Sequence, residues 1–175
     1  MVHEWVETTL TEDFLEDLYS SDRKNRWVGD GIAELVAFLM AREMAPAEST
    51  REHYADLDAS LRKLYVDGLR ESVLHNWMVG EGLQELSATR LSPHVVKYAH
   101  AFAIWWEAWE RAGDRLLGDF LDRVAAIPSA QRTSERCAAI LSDLSQMDVQ
   151  SRLKRMDMRA VRAAFQRAVK TLGDK

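Results

Sequence analysis

The chain has 175 residues, 47% of them hydrophobic and 29% charged, and a formal net charge of −5. That is the profile of a soluble globular domain and excludes a disordered tail. Its single cysteine excludes an internal disulfide and a cysteine-built metal cluster, and fits a reducing, cytoplasmic location.

Three prolines and eight glycines are few for this length, so helix is favoured throughout. The opening "MVHEWVETTLTEDF" has no positive flank leading into an apolar run, and no secretory leader is expected. A first short helix is predicted at "TLTEDFLEDLYSS", with Thr9 or Thr11 as cap and Glu12 and Asp13 at the positive end of its dipole. "DRKNRWVGDGIAELVAFLMARE" predicts a second, with Asp30 as its cap after the interruption at Gly29 and Gly31. Ser49 followed by Glu52 has capping-box spacing and is expected to open a long third helix. Tyr54, Leu57, Leu61 and Leu64 form its apolar seam, and Gly80 and Gly82 are expected to end or kink it.

"LSPHVV" is the clearest boundary. Ser92 can cap, Pro93 suits the first helical position, and Leu91 can staple onto Val96. The next helix is apolar nearly all round from Val95 to Trp109, which predicts a central helix packed on several sides. Its most apolar stretch, Tyr98 to Trp109, falls short of the roughly 20 residues of a membrane span and contains His100 and Glu107. Gly113 or Gly118 is expected to bend this long helical run, and Pro128 to stop it. "TSERCAAILSDLSQM" supplies another helix, and Asp148 or Asp157 caps one or two terminal basic helices. No strand, repeat or dividing linker is predicted. The expected fold is one all-α domain over residues 1–175, a helical bundle of about five to seven helices with a central Trp-rich helix and a basic amphipathic C-terminal helix.

Signs of catalysis are few. A carboxylate-bridged di-metal site needs two Glu-x-x-His motifs, whereas Glu71 and His75 stand four apart with no second copy. His94 and His100 lie on different helix faces, and His100 reads as a satisfied core or boundary histidine. The acid pairs Glu12/Asp13, Glu16/Asp17 and Asp119/Asp122 read as solvated faces, and "GDG" and "GEG" lack the strand and lysine of a phosphate loop. Cys137 sits in a helix where a buried inert thiol is expected. No catalytic residue, metal ligand or cofactor site is assigned, and the chain does not read as an enzyme. Of the six tryptophans, Trp105, Trp106 and Trp109 read as core with each indole N–H on a polar partner. Trp5 and Trp27 are open to burial or to exposure for a partner.

Charge is unevenly distributed. Residues 1–128 hold 13 Lys/Arg and 23 Asp/Glu, a balance of −10; residues 129–175 hold 10 and 5, a balance of +5. The positive charge concentrates in "RLKRMDMRAVRAAFQRAVK". At about 100° per residue, Arg155, Arg159, Arg162, Gln166 and Lys170 fall in one narrow stripe. Arg152 lies at the stripe's edge and Arg167 to its side, with Met158, Val161, Phe165, Val169 and Leu172 as the apolar face. Guanidinium groups at one-turn spacing suit successive phosphates. Arg152, Lys154, Arg155, Arg159, Arg162, Arg167 and Lys170 are therefore the candidate nucleic-acid-binding residues. Two other uses of the row are pairing with acids of the same chain and docking on an acidic protein.

A free nucleic-acid binder would be basic overall, so an acidic body with one basic face suits a subunit of an assembly. In size, helical class and charge layout, the chain with "RLKRMDMRAVRAAFQRAVK" at its end resembles the small helical subunits of multi-subunit CRISPR effector complexes. The resemblance implies a non-catalytic role in antiviral defence, with other protein subunits as partners and contact with RNA or single-stranded DNA inside the ribonucleoprotein. The residues assigned to that contact come from the periodicity. The alternatives are a helical adaptor that binds an acidic protein, and a small-molecule or metal-binding bundle around His100, Glu107 and the tryptophans.

Overall fold

The computed structural model describes residues 5–6, 8–9, 26–44, 47–66, 68, 70–72 and 93–172. Seven α-helices are defined among them: α1 (Arg26–Met44), α2 (Ala47–Val66), α3 (Pro93–Ala112), α4 (Leu116–Ala125), α5 (Ser134–Ser145), α6 (Val149–Lys154) and α7 (Met158–Lys170). The all-α bundle expected from composition is the observed fold. One extended element departs from the all-helical expectation. β1 (Glu71–Ser72) pairs antiparallel with β2 (Met156–Asp157), in the register Glu71 to Asp157 and Ser72 to Met156.

Several helix ends follow local chemistry. Pro93 is the first residue of α3, where its missing N–H costs nothing. Gly113, at φ 76°, ends α3 by returning its N–H to the Trp109 carbonyl at 2.8 Å. Thr133 caps α5 by accepting from the Arg136 N–H, and Gln146 closes it in the left-handed region. Asp148 and Asp157 cap α6 and α7 in the same way as Thr133, so both predicted acidic caps are used.

Other ends lie elsewhere than the sequence suggests. Helix α1 runs through Gly29, Asp30 and Gly31 without interruption, so Asp30 is a mid-helix residue and no cap. It is wholly buried and pairs with Arg26 one turn earlier at 3.5 Å. Helix α2 begins at Ala47, which puts Ser49 inside the helix and not at a capping box. It stops at Val66, well before Gly80, because Gly68 at φ 117° turns the chain and donates to the Tyr65 carbonyl at 3.3 Å. Most of the predicted first helix, the Gly80/Gly82 pair, Ser92 and Leu91 lie outside the described residues.

Helix α3 is the axis of the bundle. It packs against α1, α7, α5 and α4, and every residue from Ala99 to Ala108 is buried. That enclosure is why its middle turns are apolar nearly all round, with charge gathered near the C-terminal end. Phe102 lies at 5.8 Å from Phe38, 6.0 Å from Tyr54, 6.0 Å from Trp106 and 4.7 Å from Phe165 between ring centroids. One side chain of α3 thus joins α1, α2 and α7 in a single aromatic cluster. A second cluster joins Trp27, Trp105 and Phe120. The expected α2 seam is present, with Tyr54, Leu61 and Leu64 buried and Leu57 partly so.

Candidate nucleic-acid interface

The basic segment is two helices and not one. Asp148 accepts from the Ser151 N–H at 3.0 Å and from its hydroxyl at 2.7 Å. These two hydrogen bonds, stabilising the ionised form, hold the Asp148 carboxyl below its ordinary value. Helix α6 then ends at Lys154, and Arg155 is extended at φ −158°, ψ 126°. Met156 and Asp157 pair with β1, the Met158 N–H donates to the Arg70 carbonyl at 3.0 Å, and α7 begins at Met158. Arg155 therefore leaves the helical stripe in which the periodicity placed it. The Asp157 cap was the signal for this break, since an N-cap acid between two basic runs marks a new helix start.

Helix α7 buries Met158, Val161, Ala164, Phe165 and Ala168, as its apolar periodicity predicts. Its cations divide by flank. On one side Arg162 grips Asp58 of α2 in a two-nitrogen fork, Nε to Oδ1 at 2.9 Å and Nη2 to Oδ2 at 3.0 Å. On the other, Arg167 grips Glu110 of α3, with Nε at 3.0 Å from both oxygens, and reaches Glu107 at 3.5 Å. Those carboxylates, the Glu110 hydrogen bonds first, hold the Arg167 guanidinium above its ordinary value. Arg152 of α6 also pairs with Glu107, at 3.3 Å. Three of the seven predicted contact residues thus clamp the basic C-terminal helices onto the acidic body. Asp58→Ala would leave the Arg162 head, with only 20% of its side chain exposed, without its fork. A loss of about 1–3 kcal/mol is expected, read as a lower urea midpoint.

The other four, Lys154, Arg155, Arg159 and Lys170, are exposed. Arg159 lies with its guanidinium carbon 5.2 Å from the centre of the Tyr65 ring. The exposed Arg70, carried beside β1, lies 4.2 Å from the same ring. Both distances are those of cation–π contact. Arg62 stands one turn before Tyr65 on the face of α2 that also carries Asp58, and it too is exposed. The patch therefore contains Tyr65 and Arg70, neither of which the C-terminal periodicity could indicate.

No family model, no curated protein and no solved structure matches this chain.

His100 is wholly buried, and its Nε2 donates to the Arg152 carbonyl at 2.9 Å, the satisfied core histidine expected from the sequence. Burial pushes the Cys137 thiol up to about 12, which keeps it un-ionised and unreactive. Trp27 is buried with its indole N–H on Ser134 Oγ at 2.9 Å, and the Trp105 N–H donates to the Trp27 carbonyl at 3.2 Å. Trp106 Nε1 is buried and, among the described residues, has no partner, contrary to the expectation for the group. Trp5 is 65% exposed. Among the described residues no three His, Cys, Asp or Glu side chains are grouped to hold a metal, and no helix is long and apolar enough to cross a membrane.

Proposed function

We propose that the chain is a non-catalytic helical subunit that contacts the backbone of RNA or single-stranded DNA inside a larger assembly, through a patch formed by Arg159, Arg70 and Tyr65. The observation that carries this reading is the convergence of two guanidinium groups, from α7 and from the segment after α2, on one partly exposed tyrosine. Arginine next to an aromatic ring is a recurrent means of holding single strands, the cation meeting phosphate and the ring meeting a base. The partition of the C-terminal cations supports a subunit over a free binder. Arg152, Arg162 and Arg167 each pair with a carboxylate of the same chain, which reduces the field for tight unaided binding. An assembly of the kind formed by CRISPR effector small subunits would supply the remaining affinity.

The test is fluorescence anisotropy with single-stranded RNA and DNA across a salt series, on the chain and on its co-expressed assembly. The double reversal Arg70→Glu with Arg159→Glu should weaken binding at least roughly tenfold and flatten the salt dependence by about one unit of slope per cation. Unchanged binding in that variant would remove the patch from consideration.

A second reading, a helical adaptor that binds another protein, is favoured by Trp5. Its ring faces solvent while the adjacent Val6 enters the core. That reading predicts a partner that nuclease treatment does not release and that Trp5→Ala does.

A further inference from the structure

A cleft of about 340 Å³ lies where α3, α6 and α7 meet, lined by Glu107, Glu110, Arg111, Arg152 and Arg167. All five lining residues are charged, three positive and two negative, so the cleft suits a small charged ligand and not an apolar one. Its two carboxylates differ in kind. Glu107 is 8% exposed and sits between Arg152 and Arg167, so it fixes both guanidinium groups from beneath. Glu110 is more open, with 29% of its side chain exposed, and closes a fork on Arg167, with Nη2 at 2.9 Å and Nε at 3.0 Å.

The remaining arginines are lightly committed. Arg111 gives Nη1 to the Gln146 carbonyl at 3.1 Å, and Arg152 holds Nη2 3.3 Å from Glu107 Oε2 as an ion pair without a hydrogen bond. Each guanidinium therefore keeps most of its N–H donors for another acceptor. A phosphate-type oxyanion offers the same two-oxygen geometry as a carboxylate, with more charge and further oxygens for the neighbouring donors. Swinging Glu110 out to water would leave three cations against one carboxylate, a net charge that matches a dianion.

We propose that this cleft binds a phosphate-type oxyanion on Arg111, Arg152 and Arg167, with Glu110 as the built-in carboxylate that the ligand displaces. The site lies on the flank of α7 opposite the one that meets Asp58. It does not rest on the nucleic-acid reading of the Tyr65 patch.

Calorimetric titration of the full chain with inorganic phosphate, at constant ionic strength held by chloride, tests it. Saturable binding of one phosphate is expected. Glu110→Gln removes the internal competitor and should tighten binding roughly tenfold, whereas Arg111→Gln should weaken it roughly tenfold. Arg123→Gln, an equal charge change at a surface pair with Asp143, should leave affinity as it is. Two results would overturn the proposal: no saturable binding in either the wild type or the Glu110→Gln variant, or equal affinity across Glu110→Gln, Arg111→Gln and wild type. A second arm uses oligonucleotides with a 5′-phosphate or a 5′-hydroxyl in the Glu110→Gln background. A preference for the phosphorylated end that free phosphate competes away assigns the oxyanion to a strand terminus; equal binding assigns it to a free phosphate.

Discussion

Gly31→Ala is expected to lower stability by about 1–3 kcal/mol, at the upper end of that range for an overpacked core. Gly31 lies in α1 against the indole of Trp105, and a methyl group there would overlap Cδ1 and stand 2.6 Å from Nε1. The indole has no room to withdraw. It is fully buried, its ring centre is 4.9 Å from Phe120 in an edge contact, and its N–H is committed to the Trp27 carbonyl. Relief must come from α1 moving off α3, which opens the contact between two deeply buried faces of the bundle. Gly118 provides the opposite case, since a methyl on its exposed side of α4 meets nothing within 4 Å. Gly118→Ala should therefore raise stability by up to ~1 kcal/mol through helix propensity alone. Urea midpoints of the two variants should move in opposite directions, and a Gly31→Ala protein as stable as the wild type would refute the packing argument.

Acid should destabilise the fold through His100. Burial pushes this imidazole down to about 3, with the Arg152 carbonyl opposing the shift and the Arg152 charge adding to it. In the unfolded chain it titrates near its ordinary value of about 6.5. Above that value neither state is protonated and His100 contributes no pH dependence. Between about 6.5 and 3 the unfolded chain takes up a proton that the folded protein refuses, so stability is lost as pH falls. The slope approaches about 1.4 kcal/mol per pH unit and levels off below the folded value. His100→Gln keeps a side-chain N–H for the Arg152 carbonyl but cannot titrate. Its stability between pH 6.5 and 4 should fall less steeply than that of the wild type, by up to about one proton's worth of slope. Identical slopes would show that other groups govern acid unfolding.

Much of the fold was legible because its determinants are local. The apolar girth of "YAHAFAIWWEAW" marked the central helix, Pro93 its start, Pro128 a boundary, and Asp148 and Asp157 the caps of the two terminal basic helices. The errors have local causes too. Asp30 resembles a cap after a glycine, but burial of α1 against Trp105 favours glycine inside the helix and leaves Asp30 pairing with Arg26. Ser49 and Glu52 carry capping-box spacing in a helix that was already under way from Ala47.

The candidate interface was legible only in part. Seven cations between residues 152 and 170 could be counted, and the separation of an apolar from a charged face along α7 followed from a 3.6-residue period. Which of those cations remain available could not be read along the chain. Arg162 pairs with Asp58 at a separation of 104 residues, and Arg167 with Glu110 at 57. Arg159 meets Arg70 at Tyr65 because the β1–β2 pair brings the segment after α2 against the start of α7.

The sequence by itself determined the helical class, the central position of α3, the C-terminal caps and the surplus of positive charge, since propensity, capping and periodicity act within a turn or two of chain. Only the tertiary structure decided that this surplus is divided between clamping the bundle and facing solvent. Ion pairing depends on distance through space, and that distance is set by packing around α3.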